Sequence, residues 1–391
     1  MSERNSDNGL ALYIHWPFCI SKCPYCDFNS HVRGHVDQEL WLRALSTELA
    51  YEAALTKGRP LSSIFFGGGT PSLMPPAIVA ALIQAADAAW GFAPGIEISL
   101  EANPSSVEAA HFADLAAAGI NRVSLGMQAL GDDALSFLGR AHNVAEGLAA
   151  LEVAQRAFGR VSIDLIYARP GQNEAQWRRE LDEAVALGTG HMSLYQLTIE
   201  DGTRFASDVR KGIFKPMDED TGADLFAVTR ARMDRAQMPA YEISNHARSG
   251  EESRHNLTYW RYQDYVGIGP GAHGRRMKLG TRRHSKPENY LSAVMRNGHG
   301  MAEETPLGPA ARAAEALLMG LRLREGVDLA DIAARTGVAQ ARLIDHAAAE
   351  KIAALGMLTR NAGRLMITPK GMPLLDAILP QIVAIEADRI S

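Results

Sequence analysis

Ala11-Leu12-Tyr13-Ile14-His15-Trp16, followed by Pro17-Phe18-Cys19-Ile20-Ser21-Lys22-Cys23-Pro24-Tyr25-Cys26, runs from an apolar, aromatic strand pattern into a loop that carries every cysteine of the chain. Three cysteines this close make a poor disulfide framework and a good source of soft thiolate ligands. Downstream, Ser62–Phe66, Glu97–Leu100, Arg122–Met127, Val161–Tyr167 and His191–Thr198 read as further strands. Helical patterns separate them at Asp37–Thr56, Ala77–Ala89, Val107–Ala118, Val144–Ala157 and Ala175–Leu187. Strands alternating with helices at this spacing predict parallel βαβ units with right-handed crossovers. No GxGxxG follows the first strand, so an α/β fold built as a partial parallel (β/α)6 barrel fits better than an open dinucleotide-binding sheet.

Residues 1–10 read as a disordered tail, 11–200 as the barrel core and 201–306 as a less regular extension rich in Gly, His and aromatics. Residues 307–391 read as a C-terminal winged-helix-like appendage. Its helices are expected near Ala311–Leu323, Leu329–Arg335 and Ala341–Leu355, with strands Met357–Thr359 and Leu365–Thr368 joined across Asn361–Gly363. The 391 residues are 47% hydrophobic and 22% charged, an ordinary globular balance. With 40 Lys+Arg against 45 Asp+Glu, nucleic acid is disfavoured as a partner. Met1–Leu10 lacks the apolar stretch of a secretory signal, and the most apolar run, Ala77–Ala93, is broken by Gln84 and Asp87. A cytoplasmic protein that does not span a membrane is expected; peripheral membrane contact stays open.

Cys19, Cys23 and Cys26 offer three thiolates from one loop. On a [4Fe-4S] cluster three thiolates leave one iron open to an external chelating group. A structural zinc site wants four ligands, usually from paired CxxC halves, so zinc would have to recruit His15 or His31. The strand ends gather further polar groups: Gly67-Gly68-Gly69-Thr70, Glu101-Ala102-Asn103, Gln128, Asp164 with Arg169, and Tyr195-Gln196. In a parallel α/β barrel such ends line one mouth, where functional groups collect.

The cysteine spacing, with Tyr25 before the last cysteine, resembles the signature of the radical S-adenosylmethionine (SAM) superfamily. The resemblance implies that the open iron binds SAM and that one electron from the cluster cleaves it to methionine and a 5′-deoxyadenosyl radical. Tyr13–Cys19, Gly67–Pro71, Ser99–Pro104, Gly126–Gln128, Leu138–His142, Asp164–Tyr167 and Gly267–Gly274 form one ordered set similar to the coproporphyrinogen III dehydrogenase-like group. Carried over motif by motif, Tyr13, Gly68, Gly69, Thr70, Glu101, Gln128, Arg140 and Asp164 would contact SAM. The Gly triplet would meet its amino group with bare backbone, Glu101 its ribose and Arg140 its carboxylate, while the Gly267–Gly274 loop would close over it.

Two members of that group are distinguished by sequence. The dehydrogenase has a further cysteine two residues after the third ligand, where this chain has Phe28. His255-Asn256-Leu257-Thr258-Tyr259-Trp260 instead matches the HNxxYW motif of the HemW-type haem chaperones. That resemblance implies haem as cofactor and cargo, delivery to haem-accepting apoproteins of respiration, and an electron donor such as flavodoxin or ferredoxin. Reductive SAM cleavage is implied as well, without coproporphyrinogen oxidation; the alternative is the oxygen-independent dehydrogenase itself. His255 would ligate iron and Tyr259 with Trp260 would stack on the porphyrin, although residue chemistry alone also allows a packed core histidine. Arg275, Arg276, Lys278, Arg282, Arg283 and Lys286 form either a solvated loop or a receptor for propionates.

Overall fold

The computed structural model describes residues 9–361 and 363–385. Residues 1–8 of the expected tail, the turn residue at 362 and everything after 385 lie outside the described residues. Leu10, assigned to the tail from sequence, is a correction: it opens the first strand and is fully buried.

Six strands follow the expected alternation: β1 (Leu10–Trp16), β2 (Leu61–Gly68), β3 (Phe92–Ala102), β4 (Arg122–Gln128), β5 (Arg160–Tyr167) and β6 (His191–Gln196). They pair in parallel, in chain order. The segment 201–306 does not fold apart from them. It supplies β7 (Asn245–Ala247), antiparallel to β6, and β8 (Tyr265–Ile268), parallel to β1 on its free side. An antiparallel ribbon of β9 (His273–Arg276), β10 (Leu279–Arg283) and β11 (Met301–Pro306) continues that edge. The sheet therefore has eleven strands in the order β11-β10-β9-β8-β1-β2-β3-β4-β5-β6-β7.

Each parallel strand has two chemically distinct faces. Leu12, Ile14, Ile64, Phe66, Ile98, Leu100, Val123, Leu125, Ile163, Leu165, Met192 and Leu194 are buried in one apolar core. Helix residues fill the rest of that core, including Trp41 and Leu45 of Gln38–Leu55, Leu82 of Pro76–Trp90 and Trp177 of Glu174–Ala186. The intervening residues point the other way, because side chains alternate along a strand. These are Tyr13, His15, Ser63, Glu97, Ser99, Glu101, Arg122, Ser124, Ser162, Asp164, His191, Ser193 and Tyr195. The barrel thus has a polar lumen along its whole length, not only polar strand ends.

The helix Arg254–Trp260 closes the floor of that lumen. Ser253 caps it, and the Glu97 carboxylate accepts from the amides of Arg254 (3.0 Å) and His255 (3.3 Å). The C-terminal part has its own core, including Leu317, Ile332, Leu343, Ile352, Leu365 and Leu379. A small sheet of Val327–Asp328, Arg364–Ile367 and Leu358–Asn361 lies beside the helices Pro309–Gly320, Leu329–Thr336, His346–Ala354 and Leu375–Ile382. The helix expected over Ala341–Leu355 starts at His346, where the Asp345 side chain accepts from the Ala348 amide and fixes a new N-terminus. No helix among the described residues is long and apolar enough to cross a membrane.

Candidate cluster and ligand site

The cysteine loop leaves and re-enters at the C-terminal end of β1. Phe18–Cys19 pairs in parallel with His31–Val32, and the His31 amide donates to the Pro17 carbonyl (2.7 Å). The far side is braced: the Pro24 carbonyl accepts from the Phe205 amide (2.9 Å) and Tyr25 packs against the Phe205 ring. Gly139 sits under Pro24 at φ +66°, where a Cβ would lie 2.6 Å from the proline ring.

All three thiols are free and partly exposed. A hydrogen-bonded chain links two of them. Thr70 Oγ1 donates to Cys19 Sγ (3.5 Å) and accepts from Asn103 Nδ2 (3.3 Å). Asn103 Oδ1 accepts from Arg140 Nη2 (2.5 Å), and Arg140 Nη1 donates to Cys23 Sγ (3.3 Å). Glu108 holds Asn103 in place by accepting from its amide (2.7 Å). Burial raises the Cys19 thiol against the Thr70 hydrogen bond, and Arg140 sets a cation against Cys23 Sγ. Arg140 Nε is buried with no partner, leaving one edge of the fork for another acceptor.

The donor set fits an iron–sulfur cluster better than zinc. Among the described residues no three His, Cys, Asp or Glu side chains converge as they would on a single ion; the cysteines of a cluster need not converge, because they bind different irons. Neither histidine weighed as a fourth zinc ligand turns to the sulfurs. His15 Nε2 donates to the Asn29 carbonyl (2.9 Å) and its Nδ1 accepts from the Tyr13 hydroxyl (2.9 Å), while His31 Nε2 lies 3.2 Å from Asn29 Oδ1.

Around the end of the cysteine loop the structure links Gly68 to Glu101, Thr70 to Cys19 and Arg140 to Cys23, with Gly69 between Gly68 and Thr70. Asp164 lies beside Glu101, and Gln128 and Arg140 both lie beside Gly126, while Tyr13 lies deeper, in the lumen row of Phe65 and Ser99. Two details differ from the sequence reading. The Gly68 amide is not bare: it donates to Glu101 Oε2 (3.1 Å), and the Gly69 amide donates to the Trp16 carbonyl (2.7 Å). Gly68 is also required by the protein's own packing, since at φ +116° a Cβ would meet the His15 ring at 2.7 Å. Gln128 adopts φ +66°, a strained conformation for a side-chain-bearing residue, at the point where β4 turns out of the barrel.

Burial first, and then the neighbouring Asp164, push the Glu101 carboxyl up to about 7. Burial raises Asp164 too, against hydrogen bonds from Ser193 and Ser124. Between about pH 4.5 and 7 the folded chain therefore keeps a proton on Glu101 that the unfolded chain releases, so this group's contribution to stability falls as pH rises through that window. Glu101→Gln should raise the stability of the ligand-free protein at pH 8 by up to about 3 kcal/mol and change it little at pH 5. His15, lowered to about 4, and His255, lowered to about 3, are both depressed mainly by burial and act in the opposite sense below their ordinary range. The comparison is therefore variant against wild type at each pH by thermal unfolding. A variant less stable than wild type at pH 8 would overturn the assignment.

The residues expected to hold haem sit in a closed network of contacts. His255 is 1% exposed, with Nδ1 3.0 Å from Ser63 Oγ and Nε2 2.5 Å from the Tyr259 hydroxyl. Its ring stacks on Phe65. As placed, it offers no free lone pair to iron. Tyr259 and Trp260 cannot share one stacking platform, because consecutive helix positions point about 100° apart. Tyr259 instead packs edge-on against Tyr265 and His255. The basic stretch is neither a loose loop nor a free receptor: it forms β9 and β10. Arg276 and Arg283 are buried against Glu52 and Glu48, Arg275 stacks on Tyr262 (3.7 Å), and Arg282 pairs with Glu303.

Reading only strand ends also missed the deeper lumen residues Glu97, Ser99, Arg122, Ser124, Ser162 and His191. The signal was present as a polar residue at every second position of Glu97-Ile98-Ser99-Leu100-Glu101, Arg122-Val123-Ser124 and Ser162-Ile163-Asp164.

Comparison with known proteins adds a second line of observation. Residues 13–184 match the radical SAM superfamily model and residues 307–374 the HemN C-terminal domain model. The heme chaperone HemW of Mycobacterium tuberculosis H37Rv is 37% identical over 377 residues, covering 95% of this chain and 94% of that one. HemW of Escherichia coli K12 is 34% identical over 388 residues, covering 96% and 98%. The mitochondrial radical S-adenosyl methionine domain-containing protein 1 of Bos taurus is 40% identical over 326 residues, covering 81% and 74%. The solved structure of coproporphyrinogen III oxidase (HemN) from Escherichia coli, a radical SAM enzyme, superposes with a TM-score of 0.81 at 22% identity, covering 97% of this chain and 91% of that one.

Proposed function

We propose that this chain, which belongs to the radical SAM superfamily and within it to the HemW family, is a haem chaperone that binds haem and hands it to haem-accepting apoproteins. The observation that carries this is identity of 34–37% to HemW proteins across more than nine-tenths of both chains. The likeness to HemN, at 22% identity, carries the fold alone. The dehydrogenase reading is further weakened at Phe28, an exposed apolar ring where that enzyme's pattern has a thiol.

Cys19, Cys23 and Cys26 would hold a [4Fe-4S] cluster, which when bound supplies one electron to SAM at the iron lacking a protein ligand. The chain's own residues bind and orient SAM. Arg140 offers its unpartnered edge to the carboxylate, and Glu101 accepts from ribose hydroxyls with Asp164 behind it. Tyr13, Gly68, Gly69, Thr70 and Gln128 shape the space beside the cysteine loop. Flavodoxin or ferredoxin would supply the electron, in the cytoplasm.

We assign the haem to the lumen above the helix Arg254–Trp260, where Tyr259 and Tyr265 form the wall. His255 becomes a ligand there only when the Tyr259 hydroxyl leaves Nε2. Reconstituted wild type should bind haem saturably and form no vinyl groups from coproporphyrinogen III in the same sample. Vinyl formation, or no haem binding, would return the dehydrogenase reading to first place. Tyr259→Phe frees Nε2 and should shift the bound-haem spectrum, a shift that His255→Ala should abolish. Identical spectra in all three proteins would place the axial ligand elsewhere.

A further inference from the structure

In the middle of the lumen, Tyr13, Phe65, Ser99 and Arg122 lie side by side in register across β1, β2, β3 and β4. Arg122 is 2% exposed, and its guanidinium forms no hydrogen bond and no ion pair among the described residues. Its strand neighbour Ser99, 1% exposed, has a buried hydroxyl with no partner. A buried guanidinium without an anion is costly, and proteins rarely keep one without a use. The groups around it do not neutralise it. His255 and His191 are held neutral by burial, with Arg122 depressing both further. Glu97 is committed to Arg160 and the floor helix, and Asp164, which feels the Arg122 charge, takes its hydrogen bonds from Ser124 and Ser193 and not from the guanidinium.

We propose that Arg122, with the Ser99 hydroxyl beside it, is the receptor for a carboxylate carried into the barrel on a flat apolar body. Tyr13 and Phe65 continue the same row as an aromatic wall, suited to the body as Arg122 is to its acid group. The inference rests on the haem reading for the identity of that carboxylate, a propionate. It assigns the propionate to a residue of the lumen instead of the basic ribbon, where Arg276, Arg282 and Arg283 are held by Glu52, Glu303 and Glu48, and Arg275 stacks on Tyr262 and donates to the Gln263 carbonyl.

The test compares haem with its dimethyl ester, which keeps the ring and iron but lacks both carboxylates, on wild type and Arg122→Gln. Wild type should prefer haem by roughly 10- to 100-fold, the range for a desolvated charge-assisted pair. Arg122→Gln should bind haem only as well as it binds the ester, with ester affinity unchanged. Equal binding of haem and ester by wild type, or a preference that survives in Arg122→Gln, would overturn the assignment while leaving the haem reading intact. No haem binding by wild type would instead overturn the haem reading and this inference with it. Thermal unfolding supplies a second readout: ligand-free Arg122→Gln should melt at or above wild type, since it removes an unpaired buried charge. A variant that melts well below wild type, or loses SAM affinity by the same factor as haem affinity, would show Arg122 to serve the fold or SAM and would overturn the proposal.

Discussion

Alanine at any one of Cys19, Cys23 and Cys26 should take anaerobically reconstituted protein from about four irons per chain to nearly none. The expectation follows from having no reserve: these are the only cysteines in the chain, and neither nearby histidine turns toward the sulfurs. A cluster that already lacks a protein ligand on one iron cannot lose a second without becoming labile. The three positions should nonetheless differ in how the apo-protein responds. Cys23→Ala removes the acceptor of the Arg140 guanidinium and Cys19→Ala that of Thr70, so both disturb the hydrogen-bonded chain through Asn103. Cys26 Sγ has a 4.0 Å contact with Ser30 Oγ and a hydrogen bond from the Phe28 backbone, neither in the chain through Asn103, and its variant should leave apo-protein stability closest to wild type. Haem binding should persist in all three, because the haem is assigned to the lumen floor. Iron assay and haem titration on the same preparations check this; stoichiometric zinc without iron uptake would sink the cluster assignment.

Much of this architecture was legible because local and global signals agree. The strand–helix alternation marks six parallel strands with ends within two residues of those observed, except the third, which begins at Phe92 and not Glu97, and the cysteine loop had to follow β1. The C-terminal hairpin was marked by its turn residues. What could not be read depends on contacts distant in sequence. Tyr265–Ile268 is short and Gly-rich, and nothing local says that it pairs with β1, some 250 residues earlier. Likewise the cluster from Arg275 to Lys286 looks like a solvated basic run until Glu48 and Glu52, on the buried face of the Gln38–Leu55 helix, are seen opposite it. The HNxxYW stretch illustrates the limit from the other side. The motif identified a family, but the roles of His255 and Tyr259 depend on which way the helix turns within the barrel floor.

The polar lumen explains how one fold can hold both a SAM site and a second ligand. Apolar residues at alternate positions keep the sheet packed on its helices, so the inward positions are free of any packing duty and can be spent on Tyr, Ser, Glu, Arg and His. Glu101, Asp164 and Arg122 are correspondingly poor for stability without a ligand, and a site that destabilises the empty protein gains most on binding.

Arg283→Met should destabilise the protein by about 3–5 kcal/mol, the usual penalty for breaking one side of a buried ion pair. Arg283 is fully buried; its Nε donates to Glu48 (3.2 Å), Nη2 to Glu52 (2.5 Å) and Nη1 to Thr281 Oγ1 (2.7 Å). Glu48 in turn accepts from the Tyr290 hydroxyl (2.6 Å) and from the amides of Gly269 (3.0 Å) and Gly300 (2.8 Å). The pair thus ties the first crossover helix to the ribbon of β9 and β10 and to the glycine loop that follows β8. Methionine preserves much of the volume but leaves Glu48 and part of Glu52 uncompensated, and both carboxylates are fully buried. Arg276 still satisfies Glu52, so the loss should fall mainly on Glu48. Glu48→Gln should therefore recover part of the stability when added to Arg283→Met, although alone it weakens the same network. Denaturant unfolding of the two single variants and the double variant measures that coupling. A propionate receptor would behave differently, giving wild-type stability with weakened haem binding. That outcome would restore the basic ribbon as the ligand site, whereas a strongly destabilised Arg283→Met with unchanged haem affinity below its unfolding transition fixes Arg283 as the clamp between sheet extension and barrel.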